Sequence, residues 1–114
     1  MVVLVNHWTG SVGEGIAIGF DALKRAAIIG TPMAGLNGAI YSFTMPHTGI
    51  GFSLPVEKLF HVNGTPREYY KPTIQIDLIK QKDKEDYILQ EGLRHLNKEL
   101  IPNRYQDKHF IHEK

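Results

Sequence analysis

Residues 2–15 read VVLVNHWTGSVGEG, and this run indicates the fold class. Val2 to Val5 are all aliphatic, which is typical of a strand buried on both faces. A short loop follows, and the spacing of apolar residues then predicts a helix from about Val12 to Lys24. A strand that leads directly into a helix places the connecting loop at the carboxyl edge of a sheet, where α/β proteins bind their ligands.

The segment after this helix completes a compact βαβ unit. Ala26 to Ile29 form a second apolar run, which the turn residues 30–32 end. Crossovers of this kind are normally right-handed and join parallel strands. Further short strands are predicted at residues 39–44, 51–54, 59–62 and 73–78, the first two joined by a hairpin turn at residues 45–49. The sequence therefore predicts an α/β domain with a parallel core and short additional strands.

The last third of the chain differs in composition from the rest. After the charged residues 80–84, apolar side chains recur at helical spacing and predict an amphipathic helix, at Tyr87, Leu89, Leu93, Leu96 and Leu100. Pro102 is expected to end this helix, and the polar residues that follow read as a tail. We therefore divide the chain into an α/β portion at residues 1–80, a C-terminal helix at 81–102 and a polar tail at 103–114.

Composition excludes some classes of function. The net charge is +1 and 22% of residues are charged, so we expect neither a nucleic acid nor an anionic membrane as partner. Without cysteine, the chain has neither a disulfide nor a thiolate metal site. The six histidines lack the spacing of a metal motif, and we expect no metal and no cofactor. A chain that opens on a core strand favours a longer protein, with further functional groups upstream.

Ser11, between the first strand and the first helix, has two interpretations. It can cap the helix, because Ser11 and Glu14 match a capping box. It can also be a nucleophile, since the free N–H groups of a helix start, that of Val12 among them, can stabilise an oxyanion. Gly10 would let a substrate backbone approach closely. The local pattern alone leaves both interpretations open.

Two aromatic residues in the loop before Ser11 are also candidates for the site. Trp8 either lines a substrate pocket or covers the edge of the sheet. His7, which lies four residues before Ser11, either approaches the site or holds the backbone of the loop. The sequence does not choose between these alternatives.

Several segments, in a fixed order, resemble one known family. Residues 3–15 are similar to the nucleophile motif of the tail-specific, or C-terminal processing, serine peptidases, in which an aliphatic strand and a small-residue loop precede Ser-small-small-Glu at a helix start. Residues 25–31 resemble the second strand of that family, and residues 64–74 resemble the segment that leads to its last strand. The resemblance extends over about residues 2–77, and it depends on the order and spacing of the segments together.

This resemblance implies a fold of the ClpP/crotonase-like type, with residues 1–80 as the C-terminal portion of a peptidase catalytic domain. It implies peptide-bond hydrolysis through an acyl-enzyme on Ser11, with the oxyanion held by the Val12 N–H. The substrate would be an extended polypeptide. The resemblance also suggests a periplasmic, extracellular or cell-envelope location.

The sequence departs from the family at the general base. Many members pair the serine with a lysine just after the second strand, and Leu36 occupies that position here, so the simple dyad is excluded. Lys24 lies along the helix and is read as a surface residue. A tricorn-like branch of the superfamily uses an upstream histidine and a downstream glutamate instead, for which Glu68 is the best-placed residue. The alternative for Glu68 is a loop salt bridge with Arg67 or a lysine.

We therefore expect the nucleophile-bearing part of a serine peptidase, inactive as an isolated chain because its base comes from an upstream part of the same protein. Its expected partners are a polypeptide substrate, that upstream part and, through the apolar stripe of the C-terminal helix, further copies in a homo-oligomer. The alternative is a binding module that keeps the fold, has lost catalysis and binds a peptide or a small hydrophobic ligand.

Overall fold

The structure is a computed structural model that describes residues 1–80 and 85–100. The helices and strands are β1 (Val2–Val5), α1 (Val12–Ala22), β2 (Ala27–Gly30), β3 (Ile40–Thr44), β4 (Gly51–Pro55), β5 (Ile74–Gln75) and α2 (Tyr87–Leu100). Two single 3-10 turns lie at Arg67–Tyr69 and Leu78–Lys80. The predicted polar tail and the proline expected to end the last helix lie outside the described residues.

A parallel three-stranded sheet, in the order β1-β2-β5, forms the centre of the fold. Val2 pairs with Ala27 at one end of the β1–β2 ladder, and Ile29 of β2 pairs with Ile74 of β5. The helix α1 connects β1 to β2, so the predicted βαβ unit is confirmed. Ile28 is fully buried in the middle strand, as expected for a strand that is covered on both faces. The fold is mixed α/β.

The helix α1 ends two residues before the predicted position. The N–H of Lys24 donates to the carbonyl of Asp21, and the N–H of Arg25 donates to the carbonyl of Phe20. These are the two hydrogen bonds of a Schellman motif, in which the first residue after the helix cap has left-handed backbone. Lys24 takes that conformation at φ 52° although it is not glycine. It is exposed, in agreement with its interpretation as a surface residue.

The strands β3 and β4 form a separate antiparallel hairpin. Tyr41 pairs with Leu54 and Phe43 pairs with Phe52, so one face of the hairpin is apolar. The rings of the two phenylalanines stack at a centroid distance of 5.6 Å. Every residue of both strands is exposed. The predicted hairpin is therefore present, but it adds nothing to the described core.

Two strand predictions were wrong in part. Residues 59–62 form only an isolated bridge between Phe60 and Pro66, because the chain reverses at Gly64, which has φ 88°. A strand was predicted at residues 73–78, but in the structure only Ile74–Gln75 form one. Its partner β2 ends at Gly30, whose carbonyl accepts the N–H of Ile76 as the last bond of the ladder. A ladder cannot extend past the end of its partner strand.

The helix α2 packs against β1, as an amphipathic helix should. The contact face includes Gly92, where a Cβ atom would lie 2.8 Å from Leu4 Cδ2. Leu89 and Leu93 of the predicted stripe remain about half exposed, because the close approach at Gly92 turns a neighbouring face toward the strand. Within residues 1–80 and 85–100, no helix has the length and hydropathy to cross a membrane.

Candidate active site

Ser11 is the last residue of the loop between β1 and α1 and is the N-cap of that helix. It is exposed, and its backbone has φ 53° and ψ −116°, a conformation that residues other than glycine seldom adopt. Such strain costs on the order of 1–3 kcal/mol and is concentrated at functional sites. A sharp, strained strand-to-helix turn is also how a nucleophile elbow presents its serine above a sheet. The backbone of Ser11 is therefore suited to a nucleophile, although its flanking sequence does not match the G-x-S-x-G pattern.

The capping interpretation of Ser11 is correct in part. Ser11 and Glu14 make the reciprocal contacts of a capping box, but only one of the two has hydrogen-bond geometry. In that one the N–H of Ser11 donates to Glu14 Oε2 at 2.9 Å. The serine hydroxyl makes no hydrogen bond to the first turn of α1. The cap is thus supplied by the glutamate, and the hydroxyl is left available for chemistry.

Glu14 is fully buried and does more than cap the helix. Its Oε1 accepts the N–H of Gly35 at 2.8 Å, and the N–H of Leu36 lies 3.3 Å from both carboxylate oxygens. Together with the bond from Ser11, this carboxylate connects the nucleophile loop to the loop after β2. A second connection between the same loops is the N–H of Ala34, which donates to the carbonyl of Thr9 at 3.0 Å.

Arg67 holds the other side of the loop after β2. This almost fully buried guanidinium donates from Nε to the carbonyl of Leu36 at 2.7 Å and from Nη2 to the carbonyl of Gly38 at 3.4 Å. Its Nε also lies 3.9 Å from Glu14 Oε2. We call Glu14 and Arg67 the clamp, because both bind the segment from Gly35 to Gly38. The capping-box spacing pointed to Glu14, whereas no pattern in the sequence pointed to the carbonyl contacts of Arg67.

A cavity of about 480 Å³ lies next to the serine. We call it the Ser11 cavity, and its lining consists of Ser11, Val12, Gly15, Ile16, residues 38–40, Leu59 and Arg67. A second cavity of about 270 Å³ continues along α1 and shares three of these residues, Gly15, Leu59 and Arg67. The predicted oxyanion donor Val12 is therefore beside the serine and faces a space in which a substrate can bind.

Glu68 lies at a different cavity. It lines a space of about 240 Å³ together with Asn37, Glu57 and Lys58. Its Oε1 is 3.5 Å from Nζ of Lys58, which is the lysine salt bridge that the sequence offered as the alternative. Its Oε2 is buried and has no hydrogen-bond partner among the described residues. The catalytic role of Glu68 remains a prediction.

The remaining sequence candidates lie outside the Ser11 cavity. Trp8 is 83% exposed, and the centroid of its ring lies 4.9 Å from that of His7. Gly10 faces the loop after β2, where an added Cβ would lie 3.4 Å from Ala34 and Leu36. In the described part of the chain, neither a lysine nor a histidine lines the Ser11 cavity. A general base for Ser11 is therefore absent from that lining.

A buried polar group near the C-terminal end of α1 anchors the segment that carries the arginine of the clamp. The hydroxyl of Tyr70 donates to Oδ2 of Asp21 at 2.9 Å, and Nε2 of His61 lies 3.4 Å from the same oxygen. Burial, followed by the hydrogen bond to Asp21, raises the pKa of Tyr70 well above its usual value. The His61 ring also stacks on Tyr70 at 5.8 Å. This group fixes residues 61–70 to the helix.

Comparisons with known proteins agree with this geometry. The chain is similar to the crystal structure of mature CPAF, with a TM-score of 0.66 and 26% sequence identity. That match covers 96% of this chain but only 21% of the other chain. No curated protein matched. The sequence model of peptidase family S41 matches residues 1–77, which include the nucleophile loop, the clamp and β5. The chain therefore belongs to peptidase family S41, a family of serine peptidases, and the family resemblance found in the sequence is confirmed.

Proposed function

We propose that this chain is the nucleophile-bearing part of a serine peptidase and that Ser11 is the nucleophile. The observation that carries the proposal is the backbone of Ser11, an exposed non-glycine residue at φ 53° on a strand-to-helix turn, beside a cavity of about 480 Å³. An ordinary helix cap does not need positive φ, because cap residues normally have extended backbone. Strain that capping does not require is consistent with catalysis.

The proposed reaction is acyl transfer. Ser11 Oγ attacks the carbonyl carbon of a peptide bond, and its proton passes to a general base. The oxyanion that forms accepts the N–H of Val12 at the start of α1, where the helix dipole also favours negative charge. The carbon–nitrogen bond then breaks, the base returns the proton to the leaving amine, and water hydrolyses the acyl-enzyme. The N–H groups of Gly35 and Leu36 are occupied by Glu14, so the second oxyanion donor must come from elsewhere.

We assign the general base to an upstream part of the same protein. To Glu68 we assign the role of orienting that base. Three observations support this assignment. The described residues that line the Ser11 cavity include no lysine or histidine, and Leu36 stands where the family's lysine would be. The buried Oε2 of Glu68 has no partner in the described chain and is available to accept the N–H of an imidazole.

The rest of the proposal concerns the whole protein. This chain spans 21% of the length of the mature CPAF chain, so most of a protein of that kind would lie outside it. Large apolar side chains remain exposed on one face of the hairpin, at Tyr41, Phe43, Phe52 and Leu54, which fits a surface that an upstream domain covers. By family resemblance we propose a ClpP/crotonase-like fold, an extended polypeptide substrate and a periplasmic, extracellular or cell-envelope location. Assembly into a homo-oligomer belongs to the same set of proposals.

The test is active-site labelling of the complete protein in which this chain occurs. A fluorophosphonate probe should label the protein, and Ser11→Ala should abolish the labelling. Glu68→Gln should slow labelling at least tenfold, because the base loses its orienting partner. Glu57→Gln is the matched control, since Glu57 lines the same cavity as Glu68 and its variant should label normally. A folded, complete protein that does not react with the probe would contradict the proposal.

The second candidate function is a binding module without catalysis. Leu36 at the lysine position and the largely apolar lining of the Ser11 cavity favour it. The same experiment decides between the two, because a binding module keeps its fold and its affinity for peptides but is not labelled at Ser11.

A further inference from the structure

The Ser11 cavity has a composition that the proposed reaction does not require. Apart from the serine and the clamp arginine, its side-chain lining is apolar. Ile16 is 54% exposed, Ile40 69% and Leu59 39%, so these side chains surround the space without filling it. The cavity is also open toward the helix at Gly15, where an added Cβ would meet nothing within 4 Å.

The one charged group in this lining does not make the cavity selective for anions. Two N–H groups of Arg67 donate to the carbonyls of Leu36 and Gly38, and its Nε lies 3.9 Å from the buried carboxylate of Glu14. Because that carboxylate balances the positive charge within the protein, Arg67 attracts a further carboxylate into the space only weakly. The free surface of the cavity is therefore apolar in character, and large apolar groups gain most from binding there.

The position of the cavity determines which substrate group enters it. For attack, the scissile carbonyl carbon must lie about 3 Å from Ser11 Oγ, and its oxygen must point at the Val12 N–H. Both residues form part of the cavity's lining. The side chain on the residue that carries this carbonyl is then next to the cavity. A space of about 480 Å³ is ample for it, since a cavity of roughly 150 Å³ already holds a benzene ring.

We propose that the Ser11 cavity binds the side chain that immediately precedes the scissile bond and that it selects large apolar side chains, such as leucine and phenylalanine. This inference rests on the proposed function, because it assumes acyl transfer at Ser11. It goes beyond that function by naming the substrate class and the residues that determine it, Gly15, Ile16, Ile40 and Leu59.

The test compares peptide substrates that differ only in the residue before the scissile bond, with the complete protein as the enzyme. Leucine and phenylalanine should give kcat/KM values about 10- to 100-fold above that of alanine, which is the range that a few buried carbons supply. Aspartate and lysine should be cleaved more slowly than alanine. A preference for either charged residue, or no preference at all, would overturn the inference.

Two helix variants provide a matched pair. Gly15→Val places a branched side chain inside the Ser11 cavity and should lower the leucine-to-alanine ratio of kcat/KM by at least tenfold. Gly19→Val adds the same side chain one turn further along α1, where a Cβ also meets nothing within 4 Å. Gly19 lines only the second cavity, so this variant should keep the wild-type ratio. An unchanged ratio in Gly15→Val, or an equal change in both variants, would contradict the assignment.

The fluorophosphonate probe separates this inference from the proposed function, because the probe carries no peptide side chain. A protein that is labelled at Ser11 but shows no side-chain preference would overturn only the cavity assignment. A folded, complete protein that is not labelled and cleaves none of the peptides would overturn both.

Discussion

The clamp, which binds the segment from Gly35 to Gly38, and the β3–β4 hairpin, which begins at Ile40, are stabilised in opposite ways. In the clamp, two buried charged residues bind backbone groups from separate loops and leave little surface exposed. In the hairpin, all residues of both strands are exposed, and the side chains contact mainly their cross-strand partners. Two-stranded hairpins are marginally stable in water by themselves. The comparison shows that buried side chains of the described chain hold the Ser11 loop and the loop after β2 in place, whereas the described chain does not cover the hairpin.

The largest expected effect is at the clamp. Glu14→Ala should destabilise the chain by about 3–5 kcal/mol, because it leaves Arg67 without its buried counter-charge and removes the acceptor of backbone N–H groups. Glu57→Ala, at an exposed glutamate after the hairpin, is the control and should change stability by less than about 0.5 kcal/mol. Urea unfolding of both variants provides the measurement. Similar losses in the two variants would show that the clamp and the hairpin region do not differ as described.

A smaller effect is expected at Tyr70, which anchors the segment that carries Arg67. Tyr70→Phe should cost about 1.5 kcal/mol at pH 8, the value of a hydrogen bond to a charged acceptor. The pKa of Tyr70 is raised in the folded chain, so the folded state keeps the phenolic proton at a pH where the unfolded state loses it. Its contribution to stability is therefore complete below about pH 10 and declines as the pH rises further.

The measurement is the free energy of unfolding at pH 8 and pH 11. Wild type should lose stability over this interval, and the gap between wild type and Tyr70→Phe should narrow. Tyr69→Phe is the control, because Tyr69 is exposed and should show neither the loss at pH 8 nor the narrowing. A gap that stays constant with pH would contradict a raised pKa of Tyr70 in the folded chain.

At Ser11 the expected change in stability has the opposite sign. Ser11→Gly should stabilise the chain by about 1 kcal/mol relative to Ser11→Ala, because glycine adopts positive φ without strain. The relief of strain is larger than this net value, since glycine also loses more conformational entropy on folding than alanine does. The measurement is the difference in the free energy of unfolding between the two variants. It reports on backbone strain because both variants lack the hydroxyl. Equal stabilities would mean that the turn at Ser11 stores no strain and would weaken the case for a nucleophile.

The smallest expected effect is in the hairpin. Phe43→Ser should change the unfolding free energy of the chain by less than about 0.5 kcal/mol, because the ring is exposed and only its stacking on Phe52 is lost. In the complete protein the same substitution should cost more than about 2 kcal/mol if an upstream domain buries the ring. An equally small effect in both proteins would show that the apolar face of the hairpin stays uncovered.

The candidate site could be predicted from the sequence only where it depends on residues that are near one another in the chain. Ser11 and Glu14 are three residues apart on one helix start, so their capping relation was readable, and the N–H of Val12 followed from the same position. Arg67 was considered only as a partner of Glu68. Its actual partners are backbone carbonyls about thirty residues earlier, and no residue type in the sequence marks such an acceptor.

The fold shows the same division. Strong apolar runs predicted β1, β2 and both strands of the hairpin, whereas residues 59–62 had the composition of a strand and formed one bridge. Composition makes a segment able to form a strand, but a partner of matching length must lie beside it. Whether such a partner is present depends on the tertiary structure. For the same reason β5 is shorter than predicted, since its partner β2 ends at Gly30.

The sequence by itself determined the βαβ unit and the serine at its strand-to-helix junction, because each depends on residues that are close in the chain. It also determined the family and the absence of the family's lysine, because the order and spacing of segments can be read from the sequence without knowing how they pack. Only the tertiary structure decided that Ser11 has positive φ and that Glu14 and Arg67 hold the loop after β2. It also decided that Glu68 pairs with Lys58 while its other oxygen has no partner among residues 1–80 and 85–100. These features depend on contacts between segments distant in sequence, and such contacts follow from how the whole chain packs.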